Sequence, residues 1–79
     1  MTRDDIEIMF FAFRYMLGRR TINVPFVANY ILERKDKIPD FYKNKMVEET
    51  KHAIENGEAG DECDIQTWNG FIKQLEKRK

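Results

Sequence analysis

Hydrophobic residues recur at helical spacing in four stretches of the chain, and no stretch shows sustained strand alternation. The first stretch carries an apolar stripe at i, i+4, i+7 and i+11, formed by Ile6, Phe10, Phe13 and Leu17. The pattern predicts an all-α fold, a compact single-domain bundle of four helices within residues 1–79. We expect these helices at about residues 3–17, 24–35, 39–56 and 64–77.

The segment Met9–Leu17 is apolar on nearly every helical face, apart from Arg14. A helix that is apolar all round is normally buried. We therefore expect the first helix to be the central one, with the other segments packed around it. Thr2 and Asp5 have the spacing of a capping box at its start, and Gly18 suits its end.

The borders of the other helices are also marked in the sequence. Asn23 is a good cap for the second helix, and Pro39 is expected to open the third. Gly57 should end the third helix, because glycine is the residue most often found just past a helix C-terminus. We expect Asp64 to cap the fourth helix.

The composition of the chain argues against several classes of function. The formal net charge is zero, which argues against a protein that binds nucleic acid mainly through its overall field. Cys63 is the single cysteine, so the chain cannot form an internal disulfide or a zinc site of several thiolates. The longest apolar run, Ile8–Phe13, is far too short to cross a membrane. With no signal peptide recognisable, we expect a soluble cytoplasmic protein without a membrane partner.

The chain offers little for catalysis or metal binding. It has one histidine, His52, which we interpret as half of a solvated surface pair with Glu48, and it has no serine. Residues 57–64, GEAGDECD, supply hard oxygen ligands, but their spacing does not match a calcium-binding EF-hand loop. We therefore expect a protein that is not an enzyme and that uses no cofactor or metal.

Charges of opposite sign lie in different parts of the chain. All the charged residues within 14–20 are positive, and all the charged residues within 55–64 are acidic. One interpretation is that Arg14 or Arg20 pairs with Asp61 or Asp64 and docks the acidic loop against the first helix. The alternative is that each cluster stays apart and faces a partner. The candidate interaction residues are Arg14, Tyr15, Arg19, Arg20, Glu58, Asp61, Glu62, Asp64 and Trp68.

Aromatic residues at helical spacing are core residues in most cases. Exposure of Phe11, Tyr15 or Phe41 would instead mark a partner-binding face. A helix-turn-helix is a further reading, with Val24–Leu32 and Pro39–Asn56 as its two helices. The second of these segments carries more acids than lysines, so nucleic acid is the less favoured partner.

Two motifs carry a resemblance to a known group of proteins. F-R-Y-x-L-G-R-x-T falls on Phe13, Arg14, Tyr15, Leu17, Gly18, Arg19 and Thr21. G-x-x-C-D-x-x-x-W falls on Gly60, Cys63, Asp64 and Trp68. With these two stretches, the chain resembles a group of small, functionally uncharacterised proteins of bacteriophages and prophages.

The resemblance implies a context more than a mechanism. We expect a phage-encoded binding protein that inhibits or modulates a host protein in the bacterial cytoplasm. One candidate target is a bacterial defence protein, on which the phage protein would act in an anti-CRISPR-like way. The alternatives are a small helix-turn-helix DNA-binding regulator and a nucleotide-sequestering anti-defence protein that uses Arg14, Arg19, Arg20 and Tyr15. A homodimer is also open, because so short a chain with many large apolar residues can bury some of them between copies.

Overall fold

The computed structural model of the protein describes residues 2–17 and 24–77. Within these ranges the chain forms four α-helices and no strand, which confirms the predicted all-α bundle. A short 3-10 turn, Lys35–Lys37, separates the second and third helices. The helices are α1 (Arg3–Met16), α2 (Val24–Leu32), α3 (Asp40–Glu55) and α4 (Glu62–Glu76). The predicted caps Gly18 and Asn23 lie outside the described residues.

The predicted start of α1 is confirmed. The backbone N–H of Asp5 donates to Oγ1 of Thr2, and the backbone N–H of Thr2 donates to Oδ2 of Asp5, each over 3.1 Å. This reciprocal capping box satisfies two N–H groups that have no partner inside the helix.

Helix α2 is shorter than predicted, because it ends at Leu32 and does not continue to residue 35. Residues 33–37 are all charged and offer no apolar side to a further turn. The backbone tightens instead through hydrogen bonds from Arg34 N–H to the Ile31 carbonyl and from Ile38 N–H to the Lys35 carbonyl. This tightening brings Ile38, which is buried, into the core.

The end of α3 is confirmed at Gly57. Its φ of +73° lies in the left-handed region, which glycine adopts at little cost. The N–H of Glu58 donates to the Ala53 carbonyl, and the N–H of Gly57 donates to the Ile54 carbonyl. These two hydrogen bonds form a Schellman motif, which satisfies carbonyls of the last helical turn.

The predicted start of α4 is wrong by one helical turn. The N-cap is Asp61 and not Asp64, and the helix begins at Glu62. The Asp64 N–H donates to Oδ1 of Asp61, and the Asp61 N–H donates to Oδ2 of Asp64. Asp64 is therefore the third helical residue of a second capping box. Gly60 lies against it so closely that a Cβ there would overlap the Asp64 carboxylate.

The central helix is α4, so the prediction that α1 lies at the centre is wrong. Helices α2 and α3 each pack on α4, while α1 packs mainly on α3. Helix α4 has one apolar stripe and buries most of it, whereas α1 has more apolar surface than its neighbours cover. The buried residues of α4 are Trp68, Phe71, Ile72 and Leu75.

Phe13 joins α1 to α4. The ring of Phe13 lies 5.7 Å from that of Trp68 and 5.8 Å from that of Phe71, measured between centroids. The one buried polar side chain in the described core, Thr50, donates its hydroxyl to the Met46 carbonyl over 2.7 Å. Among the described helices, none has both the length and the apolar character needed to pass through a membrane.

Candidate protein-binding surface

Helix α1 has two apolar sides, and only one of them is buried. Phe13 is 1% exposed and faces the core. Ile8, Phe11 and Tyr15 have the spacing i, i+3 and i+7, which places them together on the other side of the helix. Their exposed fractions are 66%, 62% and 66%.

Helix α2 has a similar division. Its buried residues occur at the spacing of one stripe, while Phe26 and Tyr30 lie about half a helical turn away from that stripe. Phe26 is 67% exposed and Tyr30 is 43% exposed. We call the exposed apolar residues of these two helices the α1–α2 face: Ile8, Phe11, Ala12, Tyr15, Phe26 and Tyr30.

A groove of about 540 Å³ lies between α1 and α2. It exists because these two helices have little contact with each other and meet the rest of the bundle through α3 and α4. Asp5 from the first turn of α1 and Arg34 from the segment after α2 also line it. Its buried lining residues are Met9, Phe13, Val27 and Ile31.

One wall of the groove is held by Arg34. The guanidinium carbon lies 3.7 Å from the centre of the Tyr30 ring, in a cation–π contact. Nη1 of the same side chain donates to the Tyr30 carbonyl over 2.9 Å. These contacts restrict the Tyr30 ring, and a restricted side chain loses less entropy when another molecule packs on it.

The side of α1 that faces α3 is polar at two points. The hydroxyl of Tyr42 donates to Oε2 of Glu7 over 3.0 Å. Burial raises the pKa of Tyr42, and the hydrogen bond to the Glu7 carboxylate raises it further. Two helical turns further along α1, Nε of Arg14 lies 3.8 Å from Oε2 of Glu49.

The proposed pairing of Arg14 with the acidic loop is therefore wrong. Arg14 shares a helical face with Glu7, at i+7, and both residues face α3. The Arg14 and Glu49 side chains are 50% and 37% exposed, so the pair is a surface pair. The alternative pairing, through Arg20, lies outside the described residues, as does the candidate Arg19.

The acidic candidates divide into two groups. Asp61 and Asp64 form the capping box of α4, and Glu58 and Glu62 are exposed residues outside that box. Ala59, between them, is 2% exposed and anchors the loop in the core, which the sequence pattern did not reveal. Among the described residues, no group of three or more acidic, histidine or cysteine side chains converges as a metal site requires.

Trp68 was predicted as an interaction residue, and this is wrong. It is 2% exposed, and its ring packs on Phe13 and Phe71, so a partner cannot reach it in this fold. Phe11, Tyr15 and Phe41 are all exposed, but only Phe11 and Tyr15 belong to the α1–α2 face, whereas Phe41 is an exposed ring on α3, outside that face.

The other members of the α1–α2 face were not predicted from the sequence. The signal that could have found Ile8 is a second stripe on α1, at i, i+3 and i+7. For Phe26 and Tyr30, the signal is an apolar i, i+4 pair opposite the main stripe of α2.

Comparison with known proteins gives no relative from which a function can be transferred. No protein-family model matches the chain, and no curated protein or solved structure matches it at a significant level.

Proposed function

We propose that this protein is a non-enzymatic binding protein that acts by contact with another protein, and that the α1–α2 face is its contact surface. The observation that supports this is the size of the exposed apolar area. Taking about 200 Å² for a large side chain, the exposed parts of Ile8, Phe11, Tyr15, Phe26 and Tyr30 sum to roughly 600 Å². This is at the upper end of what a monomeric protein usually exposes in one patch.

The shape of the surface supports a protein partner. A groove between two helices, with apolar walls and a polar residue of each sign at its rim, is typical of sites that receive an amphipathic helix. The two phage-like motifs support a bacterial host protein as that partner. Inhibition or modulation of this host protein, with a defence nuclease as one candidate, is the corresponding proposal for function.

DNA binding has less support. The connection between α2 and α3 covers residues 33–39, which is longer than the turn of a helix-turn-helix. Nζ of Lys43, a lysine of α3, lies 3.8 Å from Oδ1 of Asp40 in the same helix, so part of its positive charge is offset. The surface that a partner would find most exposed is apolar, whereas nucleic-acid affinity depends on positive charge.

The test compares two phenylalanines in matched positions. Phe11 belongs to the α1–α2 face and is 62% exposed, whereas Phe41 is on α3, outside that face, and is 64% exposed. Tagged wild-type protein, Phe11→Glu and Phe41→Glu are each used to capture proteins from a bacterial host lysate, with and without nuclease treatment. We expect wild type and Phe41→Glu to retain one stoichiometric host protein, and Phe11→Glu to lose it.

Two outcomes would count against the proposal. Equal capture by Phe11→Glu would move the contact surface away from the α1–α2 face. Recovery of nucleic acid alone, lost after nuclease treatment, would instead favour the DNA-binding regulator. Circular dichroism of both variants checks that the helices are intact, which is expected because both substitutions are at exposed positions.

A further inference from the structure

We infer that, in the protein without another partner, a second copy of the chain covers the α1–α2 face and forms a symmetric dimer. The inference rests on the proposed function only in taking this face as a protein interface. It does not depend on the identity of a host protein, or on there being one.

The exposed area of the α1–α2 face is close to what a dimer interface needs. A stable interface buries about 800 Å² on each partner, roughly a tenth of a small protein's surface. The exposed parts of the five large side chains supply roughly 600 Å² of this, about a tenth of the chain's 5567 Å² of accessible surface. The polar rim around the groove, including Asp5 and Arg34, makes up the remainder.

The shape of the α1–α2 face allows it to pair with its own copy. A dimer with twofold symmetry uses one surface twice, so that surface must be complementary to itself. The α1–α2 face has a projecting part and a recessed part side by side. Phe11 and Tyr15 project from α1 outside the groove, and Ile8 and Ala12 form the adjacent groove wall. The projecting residues of one protomer can therefore enter the groove of its partner, and the reverse contact forms at the same time.

The charges of the chain and of the groove lining also permit self-association. The chain has a formal net charge of zero, so two copies approach without net repulsion. The groove lining contains one acidic and one basic residue, Asp5 and Arg34. In a symmetric dimer that pairs this face with itself, Asp5 of one protomer can lie against Arg34 of its partner, twice in each dimer. A face with charges of a single sign would repel its own copy, and this one does not.

The dimer has a consequence for the proposed function. Because the second copy and a host protein would occupy the same face, binding of a host protein requires dissociation of the dimer. Host binding should then follow the concentration of free monomer, since each partner excludes the other.

The test is analytical ultracentrifugation of the purified full chain, without host protein, over a wide range of concentration. We expect the wild-type mass to rise from one chain to two chains and then remain constant. Ile8→Glu and Phe11→Glu should weaken dimerisation by roughly 30-fold or more, the effect of losing a central interface residue. Phe41→Glu, the matched control, should dimerise like the wild type.

Either of two results would overturn the inference. One is a wild-type chain that stays monomeric at every concentration. The other is a dimer that Phe41→Glu disrupts and Phe11→Glu leaves intact. Neither result decides the proposed function, because capture of a host protein is measured separately. A monomer that captures its host protein through Phe11 would keep the proposed function and remove the dimer.

Discussion

The rings of Phe13 and Trp68 meet edge to face, with their centroids 5.7 Å apart and their planes at 83°. Phe13 is 1% exposed and Trp68 is 2% exposed, so this contact lies in the core of the bundle. It joins α1 to the central helix α4, and it thereby fixes which of the two apolar sides of α1 faces inward. The side that remains outside forms part of the α1–α2 face.

This difference between the two sides of α1 can be measured as stability. We expect Phe13→Ala to lower the free energy of unfolding by about 3–5 kcal/mol, because it leaves a cavity against Trp68 and Phe71. Phe11→Ala, two residues away and exposed, should change it by about 0.5 kcal/mol or less. Denaturant unfolding, at a concentration where the chain is monomeric, gives both values. Equal losses would mean that α1 does not bury one side in preference to the other.

Arg14 should contribute little to stability. Its ion pair with Glu49 is half exposed, and exposed pairs contribute about 0.2–1 kcal/mol. We therefore expect Arg14→Ala to lower the free energy of unfolding by about 1 kcal/mol or less. The double variant with Glu49→Ala measures the coupling between the two residues. A loss of about 3 kcal/mol or more would indicate a buried ion pair and contradict the observed geometry.

Two glycines should respond in opposite directions to the same substitution. A Cβ added at Gly57 or at Gly70 meets no atom within 4 Å, so steric overlap is not involved at either position. Gly70 lies inside α4, where Gly70→Ala should stabilise the protein by about 1 kcal/mol. Gly57 has a φ of +73°, and Gly57→Ala should destabilise it by about 1–2 kcal/mol.

Thermal unfolding of the two glycine variants provides the measurement. The melting temperature should rise for Gly70→Ala and fall for Gly57→Ala. If Gly57→Ala melted at the wild-type temperature or above it, the left-handed backbone at Gly57 would not be the deciding factor.

Acid should weaken the start of α1 through Asp5. Hydrogen bonds from the Thr2 backbone and side chain hold the pKa of Asp5 below its ordinary value of 3.8. Because the folded pKa lies below the unfolded pKa, the ionised carboxylate stabilises the fold. That contribution is complete above the unfolded pKa and is lost as the pH falls through the folded pKa.

The pH effect can be assigned with two variants. Asp5→Asn removes the titrating group and should flatten the fall in stability below the ordinary pKa of Asp5. Asp4→Asn changes the neighbouring residue, outside the capping box, and should keep the wild-type slope. Denaturant unfolding at a series of acidic pH values compares the three proteins. An unchanged slope in Asp5→Asn would assign the acid sensitivity to other carboxyl groups.

Local features of the sequence determined much of the fold. The helical periodicity predicted four helices, and the described residues contain four. The Thr2–Asp5 capping box and the end of α3 at Gly57 were predictable because each depends on residues within one or two turns of the chain. The pairing of Asp61 with Asp64 was equally local, but either aspartate could have been the N-cap. Only the structure shows that Asp61 is the N-cap and that Asp64 is the third residue of α4.

Features that depend on distant residues were not predictable in this way. The partner of Arg14 is on α3, and the burial of Ile38 and Ala59 depends on how the connecting segments return to the core. A sequence pattern shows that a residue is charged or apolar, but not which distant residue will lie beside it.

The sequence by itself determined that the chain forms helices and that α1 carries apolar residues on more than one side. Only the tertiary structure decided that α4 takes the centre and that α1 keeps one apolar side exposed beside α2. The physical reason is that hydrophobic burial depends on area and is not directional, so any apolar side can serve as the buried one. Which side is covered depends on the number and position of the helices available to cover it, and this chain leaves the α1–α2 face exposed.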